Sequence, residues 1–234
     1  MKLEICANSY QSALNAEQAG AHRIELCSEL NSGGITPSYG LIQKVISELS
    51  IETFVLIRPR SGNFVYSEAE FDIMKQDIIK CKSLGANGIV SGVLMKDNTI
   101  DLERTKELIS LAYPLPFTFH RAFDLVTNPI EGIHQLIDLK VNRVLTSGQK
   151  NKALEGITLL KEIQKRFSNQ IIILPGSGLN SKNVADFKKA GFTEVHASAS
   201  ITIEESTSLN FDEIPQTVSD SEEITKILDI IQNS

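Results

Sequence analysis

Along the chain, short runs of β-branched and apolar residues alternate with longer stretches in which apolar positions recur at helical spacing. The first pattern predicts strands and the second predicts amphipathic helices. The predicted strands are Lys2 to Cys6, Arg23 to Cys27, Thr53 to Arg58, Gly88 to Leu94, Pro116 to His120, Asn142 to Thr146, Gln170 to Leu174 and Thr193 to Ala197, eight in all. Between them lie helix starts: Thr36-Pro37 as a cap with a first-turn proline, Ser67-x-x-Glu70 as a capping box, Asn128-Pro129, and Ser219-x-x-Glu222. The polar segment from Ser198 to Asp220 reads as a long last connection. Ile224, Ile227, Leu228 and Ile231 then mark one face of a closing helix.

Four helix exits share one grammar: Ala19-Gly20-Ala21-His22-Arg23-Ile24, Leu84-Gly85-Ala86-Asn87-Gly88-Ile89, Leu139-Lys140-Val141-Asn142-Arg143-Val144 and Ala190-Gly191-Phe192-Thr193-Glu194-Val195. Glycine there supplies the left-handed residue that ends a helix, and each unit leads into an even-numbered strand. Lys140 departs from the rule. Strands that each feed a returning helix build a parallel sheet. With 234 residues, against roughly 250 for a one-domain α/β barrel, the expectation is an α/β chain folded as a single (β/α)8 TIM-type barrel over residues 1–234. An open flavodoxin-like sheet needs fewer strands.

Composition narrows the partners. A net charge of −6 gives no positive field to gather phosphate backbones or acidic lipids, which argues against nucleic acid and membrane partners. The longest apolar runs, such as Ile171 to Leu174, are far below the ~20 residues that span a bilayer. The opening Met1-Lys2-Leu3-Glu4-Ile5 reads as strand rather than signal, so a cytoplasmic protein is expected. Cys6, Cys27 and Cys81 lack CxxC spacing and are expected as reduced thiols. Cys81 continues the helix face of Phe71, Met74 and Ile78, a core position.

Alternation also predicts what the strands display. Leu3, Ile5, Ile24 and Leu26 suit the helix side, which turns Glu4, Cys6, Glu25 and Cys27 towards the barrel axis. Neighbouring strands lie about 4.8 Å apart, close enough for the two thiols to stand side by side. Paired thiolates favour a soft cation such as Cu(I), whereas free cysteine also serves as a small buried apolar residue; spacing leaves both roles open. Buried Glu4 and Glu25 require pairing, a metal or a catalytic role, and Arg58 and Arg60 are candidate partners. Strand 5 ends in His120-Arg121-Ala122-Phe123-Asp124, and strand 8 carries Glu194, His196 and Ser198 at inward spacing. Rim histidines can act as acid, base or ligand, while His22 and His134 fall outside the strands. The turns Ser147-Gly148 and Gly176-Ser177-Gly178 offer backbone N–H groups to an anion, as barrel enzymes do near strands 7 and 8; tight turning alone also explains their glycines.

Leu3-Glu4-Ile5-Cys6, Arg23-Ile24-Glu25-Leu26-Cys27, Gly33-Gly34-x-Thr36-Pro37-Ser38, Ile57-Arg58-Pro59-Arg60, Phe119-His120-Arg121-Ala122-Phe123-Asp124 and Leu145-Thr146-Ser147-Gly148 together resemble the CutC copper homeostasis proteins. The likeness runs from the first strand to His196. It implies a cytosolic barrel, often oligomeric, linked to copper tolerance, with Cu(I) held by the cysteines that match Cys6 and Cys27. Ser61, Asn63 and Ser177 depart from that family's pattern.

Two functions follow as expectations. One is Cu(I) binding in copper homeostasis, with Cys6 and Cys27 as ligands and no organic cofactor. The alternative is an enzyme acting by acid/base chemistry on a small anionic, perhaps phosphorylated, molecule. Glu4, Glu25, Arg58, His120, Arg121, Asp124 and His196 are then the candidate catalytic groups, and Ser147, Gly148, Gly176, Ser177 and Gly178 the anion cradle.

Overall fold

The computed structural model describes residues 1–203 and 216–233. Eight parallel strands, β1 (Lys2–Ala7), β2 (Arg23–Leu26), β3 (Glu52–Leu56), β4 (Gly88–Ser91), β5 (Phe117–Phe119), β6 (Arg143–Thr146), β7 (Ile172–Pro175) and β8 (Glu194–Ala197), hydrogen-bond in the order β7-β6-β5-β4-β3-β2-β1-β8. β7 and β8 pack against each other without ladder pairing, so a TIM-type (β/α)8 barrel closes but for one seam. Its outer ring is α1 (Tyr10–Gln18), α2 (Tyr39–Glu48), α3 (Glu68–Leu84), α4 (Leu102–Ala112), α5 (Pro129–Asp138), α6 (Ile157–Phe167), α7 (Val184–Lys189) and α8 (Ser221–Asn233).

Local chemistry sets the helix boundaries. Ser67 and Glu70 form the reciprocal capping box of α3, and Asn128 caps α5 with Pro129 in its first turn. Two predicted starts are corrected. Ser38, not Thr36, caps α2, because the Thr36 hydroxyl is occupied by the backbone N–H of Arg58 at 2.8 Å. Ser219 is buried in a strand, and Asp220 takes the capping role at α8, accepting from the Glu222 N–H at 3.0 Å. Lys140 adopts the left-handed φ of 61° that Gly20, Gly85 and Gly191 adopt at the other three exits. The shared grammar is therefore conformational, and one non-glycine bears its strain.

The predicted last connection, Ser198 to Asp220, is partly structured. β9 (Ser200–Thr202) runs antiparallel to β10 (Thr217–Ser219), and the connection at 204–215 lies outside the described residues. β10 is anchored on α1, where Ser12 Oγ accepts from the Ser219 N–H at 3.1 Å.

Side chains on the barrel separate into two cores. Leu3, Ile5, Ile24, Leu26 and their counterparts pack against the helices, while Cys6, Cys27, Phe54, Leu56 and Val90 cluster inside. The inward side chains stack in layers drawn from alternate strands, as barrel geometry dictates. The lowest even-strand layer is Arg23, Gly88, Arg143 and Glu194. A Cβ on Gly88 would stand 2.5 Å from the Phe54 ring, so glycine here makes room for that aromatic in the centre of the barrel. Glu4 and Phe54 stand in the odd-strand layer above that lowest one, Glu25 and His196 in the next even-strand layer, and Cys6 and His120 in the odd-strand layer after that.

Candidate functional site

The lower interior is a chain of charge pairs. Arg143 Nε donates to Glu194 Oε2 at 3.2 Å, Arg23 Nη2 to the same oxygen at 2.6 Å, and Arg23 Nε to Glu4. Both guanidinium groups lie on the Phe54 ring, 4.6 and 5.0 Å from its centre. Two arginines and two glutamates leave this floor neutral, which is what makes burial of four charges tolerable. Burial alone would raise the Glu4 carboxyl, but Arg23 and the hydrogen bond to His196 outweigh it and hold it at about 2.

The chain continues upward to the strand ends. Glu4 Oε1 meets His196 Nδ1 at 2.7 Å, and His196, Cys6 and Glu25 present donor atoms within 4.8 Å of one another. Cys6 Sγ is 3.6 Å from Cys27 Sγ. Burial opposes the charged imidazole, but hydrogen bonding with Cys6 and Glu4 and the charge of Glu25 raise His196 well above the usual histidine range. Glu25 is pushed up to about 7 by burial, which His196 only partly offsets, and its Oε2 has no hydrogen-bond partner. The Cys6 thiol is raised by its bond to Cys27 and by burial. Gly34, at φ 81°, passes over this pair; a Cβ there would stand 2.8 Å from Leu56 and 3.5 Å from Cys27.

Above these groups opens a cavity of about 300 Å³. It is lined by Cys6, Glu25, Arg58, His120, Arg121 and His196 together with Ser177 and Gly178. Candidate residues from strands 1, 2, 5 and 8 and the loop after strand 3 thus share one space. His120 is buried and neutral: desolvation, aided by the nearby Arg58 charge, pushes it down to about 3. Its ring packs on Phe64 at 4.8 Å.

Other candidates stand elsewhere. Glu4 lies beneath the cavity as the partner of His196. Asp124 is not among the lining residues; its carboxylate accepts from Thr146 Oγ1, the Ser147 N–H and the Gln149 N–H and pairs with Arg121. The Gly148 N–H is taken by Thr146 Oγ1 at 3.0 Å. The chain's own carboxylate therefore fills most of the cradle after β6, and Gly176 spends its N–H on the Thr146 carbonyl. Arg58 and Arg60, expected to reach the carboxylates, do not: Arg58 bonds backbone carbonyls and Arg60 pairs with Glu70. Cys81 is core on α3, His22 accepts from the Leu3 N–H, and His134 packs edge-on against Phe167.

The CutC family model matches residues 1–201, a span that holds every one of these site residues. The chain belongs to the CutC family. It is 45% identical over 201 residues to the human copper homeostasis protein cutC homolog, covering 86% of this chain and 74% of that protein. A CutC from Pasteurella multocida is 47% identical over 199 residues, covering 85% of this chain and 82% of that one. A solved structure of a copper homeostasis protein CutC from Streptococcus agalactiae superposes with a TM-score of 0.80 at 33% identity, over 85% of this chain and 98% of that one.

In this CutC chain, Arg23 and Arg143 are the residues that inspection of the strand ends overlooks. Arg23 shares the parity of Glu25 and Cys27, so the alternation that turned those two inward applies to it as well. Arg143 occupies the equivalent place in the helix-exit repeat, as does Glu194. Among the described residues, no helix is long and apolar enough to cross a membrane.

Proposed function

We propose that this CutC-family chain handles Cu(I) as cargo in a reducing cytosol, taking it at the thiols of Cys6 and Cys27. The observation that carries this reading is the 3.6 Å separation of two unbridged sulfur atoms beside a cavity. Soft thiolates suit Cu(I), and its human relative is named a copper homeostasis protein. A thiol must lose its proton to bind a metal, and the bond to Cys27 together with burial raises the Cys6 thiol, which keeps it protonated in the free protein. Glu25, held at about 7 with an unpaired oxygen in ligand range of Cys6, is the group placed to accept that proton. His196, oriented by Glu4, supplies the positive charge that steadies the resulting anions.

Anaerobic titration with Cu(I) under a competing chelator tests the reading. Wild type is expected to bind one ion with affinity that rises with pH as thiol protons are displaced. Cys6→Ser/Cys27→Ser is expected to bind none; equal stoichiometry in both proteins would remove the proposal.

A further inference from the structure

Charges inside the barrel are matched except along one wall of the cavity. Arg58 is 5% exposed, and its guanidinium donates only to the carbonyls of Ser32, Gly34 and Gly62, at 3.2, 2.7 and 2.8 Å. Its Nε has no partner, and among the described residues it makes no ion pair. Carbonyl oxygens solvate a guanidinium without neutralising it, so a buried positive charge is left facing the cavity.

His120 stands in the same wall and is 4% exposed. Its Nδ1 accepts the Ala122 N–H at 3.2 Å, which places the proton of the neutral ring on Nε2. That Nε2–H is buried and has no acceptor. The backbone N–H groups of Ser177 and Gly178, also at the cavity, have no acceptor among the described residues, and both residues hold left-handed φ values of 83° and 72°. Buried donors are nearly always satisfied. The one left open at His120 beside an uncompensated cation, with the solvent-reached N–H groups of Ser177 and Gly178 on the same cavity, describes a place made for oxygen atoms carrying negative charge. The volume of about 300 Å³ stands at the lower end of the roughly 300–1,000 Å³ of small-molecule pockets, far more than a metal ion occupies.

We propose that this wall binds the anionic group of a small organic molecule, a carboxylate or a phosphate ester, with His120 Nε2–H and Arg58 as its recognition elements. The inference does not require the thiols to bind copper. A ligand seated this way projects its remaining atoms towards Glu25, Cys6 and His196, which line the same space.

The test uses full-length, metal-free protein, with succinate and glycerol 3-phosphate as separate probes in calorimetric titrations at constant ionic strength. Saturable binding of at least one probe is expected, and whichever binds names the class. His120→Phe keeps the ring against Phe64 and removes the donor, and a loss of about ten-fold or more is expected. Arg60→Gln, which removes a cation outside the cavity, is expected to leave binding unchanged. In wild-type protein, the His120 Nε2 nitrogen resonance is expected to shift as the probe saturates, a readout independent of how any variant folds. Binding of neither probe, binding indifferent to His120→Phe, or a stationary His120 resonance would overturn the proposal. Anion binding without copper binding would instead remove the copper reading alone.

Discussion

At the lower end of the barrel interior, Arg143, Glu194, Arg23 and Glu4 neutralise one another around Phe54; at the upper end, Glu25, Arg58 and His120 each keep a buried polar atom without a partner. Both regions are equally removed from water, so burial does not distinguish them. The difference is compensation. Arg23 and Arg143 also leave Nη1 without an acceptor, but their charge is cancelled by carboxylates, whereas Arg58, which like them rests on an aromatic ring, pairs with none among the described residues. Four charges are matched at the floor and polar atoms are left unmatched above it, a loss of stability of the kind that accompanies a binding site and that the anion proposal accounts for.

That contrast can be broken by substitution. Arg23→Met takes one of two partners from each of the buried carboxylates Glu4 and Glu194 and is expected to cost about 3–5 kcal/mol in urea unfolding, the largest effect of any single change here. A loss below about 1 kcal/mol would mean that the floor is not an ion-pair layer. His120 gives the next effect, on the order of a few kcal/mol and dependent on pH. Its folded value of about 3 lies below the ordinary 6.5, so the unfolded chain takes up a proton that the folded chain refuses. Stability is therefore lost through this group as pH falls from about 6.5 to about 3. His120→Phe is expected to gain on wild type across that window and to show no pH-dependent difference above it.

Glu25 has the opposite sign. Its folded value of about 7 exceeds the ordinary 4.5, so its burial weakens the fold fully above pH 7 and not at all below pH 4.5. Glu25→Gln is expected to be more stable than wild type by about 1–2 kcal/mol at pH 8 and to lose that advantage on acidification. An unchanged difference at pH 4 and pH 8 would contradict the assignment. Arg60→Gln, which breaks a partly exposed pair with Glu70, is expected to change stability by less than about 1 kcal/mol.

Much of the architecture is legible in the amino-acid order because the periodicity of each segment agrees with its capping and exit residues. All eight strands stand within a few residues of where alternation places them. The short β9 and β10 escape notice because Ser200-Ile201-Thr202 and Thr217-Val218-Ser219 are three-residue strands set in polar surroundings. The inward direction of Glu25, Cys6 and His196 is likewise readable from parity, since one face of every strand must meet the helices. What parity cannot give is pairing across the barrel. Arg58 ends among loop carbonyls and Asp124 among the N–H groups after β6, and both outcomes depend on how loops of different strands meet. Arg23 was available to the same parity rule, and only attention to strand ends rather than strand starts hides it.

The sulfur pair admits a direct examination. Copper K-edge X-ray absorption of the protein loaded with one equivalent of Cu(I) reports the atoms bonded to the metal. Two sulfur neighbours, lost in Cys6→Ser/Cys27→Ser, are predicted. A first shell of nitrogen and oxygen alone, or sulfur scattering that survives in the double variant, would contradict the assignment of Cys6 and Cys27 as the copper site.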